Sequence, residues 1–393
     1  MAHPTNPIWQ LLVCCSRTEI SPSHREQIIE ILQGEINWET LLESAKWHKI
    51  TPLLTWHLQG LGWPRVPDGV KVQLQQQFEQ NLRQNFLLVT HLRKLQQVFH
   101  HHSLPFLSLK GPALAKRVYG NLALRSMYDL DFLLRHPQDY FTAKTLLAEL
   151  GYQPYHDLTL AQEELQLKTN FGAAFLNPQT GVQADPHWGL SPPFFTCHLP
   201  VADLFHRQGS ETLGGCKFPT LSPEDLLLVL CLNGARDGWL ELQRLCDVAE
   251  CVRAFPELDW EGLHCRSRLY NCDRIFFLGL HITQTLLGCP LPPSIQTEIQ
   301  QHPAILSLTE TIQHTLTQSH IPSHTLLQRA AFSLQLQPGP LNKLRFLSRL
   351  VFPINERDLE WVQLPRPLFF LYCPLRWVRL GLKYLNIAFF RKY

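Results

Sequence analysis

The chain has 393 residues, 45% of them apolar, and a formal net charge of +2. That length suffices for two or three domains of about 100–200 residues each, and the apolar content excludes wholesale disorder. The small net charge excludes a surface given over to nucleic acid, so no specific nucleic-acid partner is expected.

The N-terminal stretch "MAHPTNPIWQLLVCCSR" lacks a basic region followed by a long apolar core, so no signal peptide is evident. No run reaches about 18 uninterrupted apolar residues, so no spanning helix is expected. The eleven cysteines are scattered, form no CxxC pair and are odd in number. They read as small core residues in a reducing compartment, not as a zinc knuckle or a disulfide framework. A cytoplasmic protein is expected, with its C-terminus as a point of membrane association.

Residues 1–102 read as an N-terminal helical region. "REQIIEILQG" and "NWETLLESAKWHKITPLLTWHLQGL" carry apolar residues at three and four spacing. A long helix is expected from about Val70 to His101, with Leu82, Phe86, Val89, Leu92, Leu95 and Phe99 as its buried stripe. The tract His100–His102 points its side chains in different directions and reads as a solvated helix end.

The texture changes over 103–215. "LPFLSLKG" is a short apolar strand closed by glycine. "PALAKRVYG" has proline at its first turn and glycine at its end, as a short helix does. "MYDLDFLLR" is a second strand and "PQDYFTAKTLLAELGY" a second helix. "GAAFLNPQTGVQADPHWGL" gives two strands around a turn at Asn177–Gly181. Residues 216–330 return to helix, with Ser222 as N-cap ahead of Pro223. The remainder, 331–393, is rich in proline and aromatics. The fold class is α+β: a small mixed-sheet core between helical regions.

Asp129 and Asp131 stand one residue apart in a strand, so both project from one face while Tyr128, Leu130 and Phe132 face the core. Two carboxylates this close are costly unless a cation neutralises them. Oxygen ligands suit Mg²⁺ or Mn²⁺. Asp185, in "VQADPHW" on the hairpin, is the candidate third ligand of a two-metal site. Lys110-Gly111 forms a turn between strand and helix, where backbone N–H groups and a lysine suit phosphate, and Arg125 adds a second charge. His187 reads either as a base or phosphate contact or as a packed residue. Asn233, Arg236 and Asp237 either line the cleft or form a solvated helix end. Asp247 is a surface acid or a partner for Arg244 or Arg253.

The motif "LKGPALAKRVYGNLALRSMYDLDFLL" followed by "ADPHW" resembles the uncharacterised nucleotidyltransferases of the DNA-polymerase-β-like superfamily. The matching positions are Lys110, Gly111, Tyr119, Arg125, Asp129, Asp131, Asp185, His187 and Trp188, and Trp239, Leu242 and Asp247 fit downstream. The resemblance implies Asp129, Asp131 and Asp185 as catalytic metal ligands for two Mg²⁺ ions, with Lys110, Gly111, Arg125 and His187 at the nucleotide phosphates. It implies transfer of a nucleoside monophosphate from an NTP such as ATP to a hydroxyl of a small molecule, carbohydrate or protein, with release of pyrophosphate. Two positions depart from the superfamily: Pro112 replaces the usual serine of the phosphate turn, and Pro186 suits only an edge strand or a bulge.

Two other functions fit parts of the pattern. A DxD glycosyltransferase also holds a metal with paired aspartates, but the helical N-terminal hundred residues count against it. A non-catalytic nucleotide-binding or scaffolding relative has no reason to keep three clustered aspartates. The C-terminal stretch 366–393 carries Arg366, Arg376, Arg379, Lys383, Arg391 and Lys392 and no acid, with Trp377, Leu380, Tyr384 and Ile387 at helical spacing. It reads as a docked terminal helix or as a basic amphipathic helix on an anionic membrane.

Overall fold

Asn6, Ser21 and Asn37 each accept a backbone N–H through the side chain. They thereby satisfy an orphan donor and start the helices Pro7–Cys15 (α1), Pro22–Ile31 (α2) and Trp38–Trp47 (α3). Thr51–Gly60 (α4) and the long Asp68–His101 (α5) follow. The structure, a computed structural model, describes residues 6–192, 195, 197–317, 326–337, 339–351 and 354–384.

On α5 the expected stripe is buried at Val89, Leu92, Leu95 and Phe99, whereas Phe86 is 56% exposed. Asn85 and Leu88 take its place inward. Asn85 turns inward because polar groups await it there. Its Nδ2 donates to the carbonyls of Leu122 (2.6 Å) and Arg125 (2.9 Å). His100–His102 are exposed, as a solvated helix end requires.

The α/β core then runs in chain order through Phe106–Ser108 (β1), Gly111–Tyr119 (α6), Asp129–Leu134 (β2), Asp139–Glu149 (α7), Gln153–Pro154 (β3), Leu160–Thr169 (α8), Phe175–Leu176 (β4), Gln183–His187 (β5), Val201–His206 (α9), Gly209–Leu213 (β6) and Cys216–Thr220 (β7). The strands form one mixed sheet in the order β3-β4-β5-β2-β1-β7-β6. The pairs β1–β2, β3–β4, β4–β5 and β6–β7 are antiparallel, and β2–β5 and β1–β7 are parallel. In the expected hairpin, Asn177 Oδ1 accepts the N–H groups of Gln179 and Thr180 and so shapes the turn. The β6–β7 hairpin turns through Gly214-Gly215, a two-glycine signal in "SETLGGCKFPT" that the sequence reading passes over.

Pro223–Arg236 (α10), Leu242–Ala254 (α11), Trp260–Leu269 (α12), Asp273–Leu287 (α13), Pro293–Gln300 (α14) and Pro303–Thr317 (α15) form the following helical layer. Ser222 caps α10 as expected. The last helices are Leu326–Leu336 (α16), Gly339–Val351 (α17), Glu356–Trp361 (α18) and Tyr372–Tyr384 (α19).

Two apolar clusters hold the sheet between helices. One joins the N-terminal helices through Leu107 and Leu133 to α10, α11 and α13. The other packs α5 and α7 on the opposite face around Phe132, Phe175 and Trp188. Phe99, Phe106 and Phe132 meet edge to face at 5.5–5.8 Å between centroids, a geometry that adds about 0.5–1.5 kcal/mol per pair beyond area burial.

The C-terminal segment is docked on α8. Gln162 Nε2 donates to Leu359 O and to the Tyr372 hydroxyl, and Arg366 pairs with Glu164. The buried Asp358 takes both Arg376 and Arg379. Three of the six cations in 366–393 are thus paired with acids of the chain, while Trp377 stays 50% exposed. Ile387, Arg391 and Lys392 lie outside the described residues. Among the described residues no helix is long and apolar enough to cross a membrane.

Asn85 ties α5 to the segment that leads into β2. Asn85→Ala leaves the Leu122 carbonyl without this donor and the Arg125 carbonyl with only the longer bond from Asn81 (3.4 Å), and denaturant unfolding should show a loss of about 1–3 kcal/mol.

Candidate active site

Strand β2 places Asp129 and Asp131 on one face, with Leu130 and Phe132 buried on the other. Tyr128 does not join them in the core. Pairing starts only at Asp129, and Tyr128 turns out, 59% exposed, with Lys49 Nζ 5.7 Å from its ring centroid. The parallel register with β5 sets Asp129 opposite Gln183, Asp131 opposite Asp185 and Leu133 opposite His187. Register partners share a face, so the three carboxylates converge. One oxygen from each lies within 4.8 Å of the others. Three hard oxygen donors at this separation fit Mg²⁺ or Mn²⁺.

Pro186 lies on an interior strand, not on an edge or a bulge. Its carbonyl accepts from Ala173 N–H, and the return bond of that pair is missing because proline has no donor. The strand tolerates this on the side away from β2.

The remaining expected residues gather around the triad. Lys110 Nζ stands 3.4 Å from Asp131 Oδ2, and His187 Nε2 is 2.9 Å from Asp131 Oδ1. Phe171 stacks on the His187 ring at 5.6 Å. Gly172 makes room for that ring, since a Cβ there would stand 2.6 Å from His187 Nδ1. Gly111 starts α6 at φ +65°, a conformation glycine adopts without strain, and lies against the Asp129 carbonyl. Pro112 occupies the first turn of α6, where its missing N–H costs nothing. No side chain caps this helix start.

Arg125 is placed differently from the rest. Its Nε and an Nη each donate to the Asp247 carboxylate at 2.8 Å, and the Tyr119 hydroxyl donates to the same acid at 2.7 Å. Asp247 therefore partners Arg125, not Arg244 or Arg253, because α11 packs on α6 and buries the acid. This bidentate pair, with all three groups buried, fixes the backbone just ahead of Asp129. Gln243 Nε2 adds a bond to Ser126 O.

The electrostatics separate the three carboxyls. Burial raises Asp185, and the charges of Asp131 and Asp129 push it further, to about 8. Gln183 opposes this by donating Nε2 to both Asp185 oxygens at 3.0 Å. Asp129 is raised by burial and by Asp131. For Asp131, burial acts upward, but Lys110, the His187 hydrogen bond and Arg236 outweigh it and hold the acid well below the usual carboxylate range. Burial lowers Lys110, against the pull of Asp131.

The α10–α11 hairpin closes the other side of the site and is no solvated helix end. Asn233 is buried. The Arg236 guanidinium lies 5.4 Å from the Phe171 ring centroid, and Arg244 Nη2 pairs with Asp237 at 2.7 Å. Behind Arg236 and Asp237 opens a cavity of about 290 Å³ walled by Leu240, Leu308, Ile312 and Phe332. Gln183, Phe171 and Arg244 are the site residues that sequence reasoning misses. The i−2 spacing of Gln183 from Asp185 is the one signal that places a residue of this group on the shared face.

A family model described as "uncharacterised nucleotidyltransferase" matches residues 34–288, well over half of the chain. The chain belongs to this nucleotidyltransferase family. No curated protein and no solved structure matches it.

Two outcomes follow from the buried charges. In metal-free protein, Asp185 keeps its proton when folded and loses it near pH 4 when unfolded, so its own contribution to stability falls as pH rises from about 4 to 8. Asp185→Asn removes that slope and should raise stability at pH 8 by about 1–3 kcal/mol, read from denaturant melts in chelator across pH. Asp247→Ala leaves Arg125 buried and unpaired, and the same melts should show a loss of about 3–5 kcal/mol.

Proposed function

We propose that this protein is a metal-dependent nucleotidyltransferase that moves a nucleoside monophosphate from an NTP to a hydroxyl acceptor. The observation that carries the reading is the parallel β2–β5 register, which holds Asp129, Asp131 and Asp185 with ligand oxygens within 4.8 Å of one another. Family membership supports the reaction class. Held by these three acids, Mg²⁺ or Mn²⁺ supplies charge neutralisation at the phosphates and a lowered pKa at the attacking hydroxyl.

The chain's own groups divide the remaining work. Asp129 and Asp131 orient ligand oxygens from one strand, and Asp185 completes the set from the next. His187, bonded to Asp131, keeps that carboxylate in one rotamer. Gln183 does the same for Asp185. Gly111 and the uncapped start of α6 offer backbone N–H groups and a positive helix end to phosphate oxygens, and Lys110 adds its charge beside them. In the transfer the acceptor oxygen bonds to the α-phosphorus, the α–β bridging P–O bond breaks, pyrophosphate leaves with the electron pair, and the hydroxyl proton passes to solvent. Arg125 acts from behind, by fixing the approach to β2 through Asp247.

The test is calorimetric titration of ATP, GTP, CTP and UTP, with and without Mg²⁺, followed by a pyrophosphate-release assay with candidate acceptors. Wild type should bind one nucleotide only with Mg²⁺. Asp129→Asn/Asp131→Asn should abolish that binding and lower turnover by ~10³-fold or more, since loss of the metal forfeits several kcal/mol of transition-state stabilisation. Nucleotide binding indifferent to both Mg²⁺ and the two aspartates would refute the reading.

A further inference from the structure

The α10–α11 hairpin carries hydrogen-bond donors that the reaction outlined above leaves unused. Asn233 precedes Arg236 by three residues and Asp237 by four, so the three share a helical face. Asn233 is buried, and its amide nitrogen has no hydrogen-bond partner. The buried Nε of Arg244 has none either, with Glu241 Oε2 standing 3.5 Å away. Buried donors are nearly always bonded; the Arg244 Nε faces Glu241 Oε2, whereas the Asn233 amide, on the helical face of Arg236, is left for an acceptor from outside the chain. Both arginines meet the single Asp237, Arg244 at 2.7 Å and Arg236 at 3.6 Å.

The two arginines stand at the triad. Arg236 lies over Phe171, Phe171 stacks on His187, and His187 bonds Asp131. The charge of Arg236 acts on Asp131, and that of Arg244 on Asp129. The hairpin itself is firmly seated: Trp239 is fully buried, with its ring filling the space a side chain at Gly234 would need. Arg125 is not available for the same work, because Asp247 occupies its fork on both sides.

We propose that Arg236, Arg244 and Asn233 form a polyphosphate-binding wall that takes the β- and γ-phosphates of the nucleotide and the pyrophosphate they become. The inference rests on the nucleotidyltransferase reading of the triad and deepens it by naming the residues that would hold the donor's polyphosphate. In the protein alone, Asp131 balances Lys110 and Arg236. Divalent cations on the three carboxylates would take up that negative charge, and the basic groups would then need another anion. Guanidinium forks match phosphate oxygens in pairs. A nucleoside diphosphate sugar offers fewer charges there and a sugar where the γ-phosphate would lie.

The experiment is calorimetry on the full chain with Mg²⁺, using tripolyphosphate, pyrophosphate, ATP and AMP as titrants, with Mn²⁺ binding measured separately. Arg236 is partly exposed, so Arg236→Gln keeps the fold, and Arg244→Lys keeps the buried charge while removing the fork. Wild type should bind tripolyphosphate and pyrophosphate. Arg236→Gln should weaken both by about tenfold or more and Arg244→Lys by less; AMP binding should not change, and Mn²⁺ affinity should not fall in either variant, because removing a cation beside Asp131 favours a divalent ion there. Equal polyphosphate affinity in wild type and both variants overturns the wall. So does a wild type that binds Mn²⁺ but no polyphosphate, an outcome that leaves the metal site standing. Loss of Mn²⁺ binding in wild type counts against the metal reading alone, and the wall then stands or falls on the polyphosphate titration.

Discussion

Everything at this site depends on one constraint: three half-buried carboxylates are held against one another. Separately, each would prefer solvent. The sheet forces them together because β2 and β5 run parallel and in a register that sets Asp131 beside Asp185. The surrounding structure then compensates unevenly. Lys110 and His187 both contact Asp131, whereas among the described residues Asp185 has the amide of Gln183 and the more distant charge of Lys110. The site is therefore compensated at one corner and left with excess negative charge at another, unlike a structural ion pair, and this is the arrangement the proposed metal reading builds on. The Arg125–Asp247–Tyr119 cluster behind it is the structural kind: one acid, one base and one hydroxyl, all satisfied.

Much of this was legible in the sequence because it depends on short-range periodicity. A strand's alternation puts Asp129 and Asp131 on one face whatever lies around them, and the Asn177–Gly181 turn brings the Asp185 strand back into the sheet. The Lys110-Gly111 turn and the helix behind it follow from proline and glycine chemistry. What the periodicity does not carry is which strands become neighbours. The parallel pairing of β1 with β7 joins residues more than a hundred positions apart, and it is the pairing of β4 with β5 that takes the sheet's edge away from Pro186's strand. Partner choice among charges is equally long-range. Arg125 reads from the sequence as a phosphate ligand, yet it meets an acid 122 residues further along. Asn85 lies outside the apolar stripe expected from the spacing, yet it is the residue that points inward.

The helical hairpin after the core shows the same limit from another side. Arg236 and Asp237 at the end of α10 look like any charged helix terminus. Their meaning comes from Trp239, whose burial between Gly234 and Gly279 sets where the chain turns. A residue chosen by packing thus decides which charges face the carboxylates.

The docking of the C-terminal segment reaches further than its distance from the triad suggests. Glu356 accepts from the side chains of Gln166 and Asn170, and Asn170 immediately precedes Phe171, the ring that lies between His187 and Arg236. The family match ends at residue 288, so the last helices lie beyond it. They nevertheless grip the peptide that sets the spacing between the acidic and the basic sides of the cleft. Divergence in that tail would be a way to retune the cleft's width, and with it the compounds admitted, without altering a single residue that touches them.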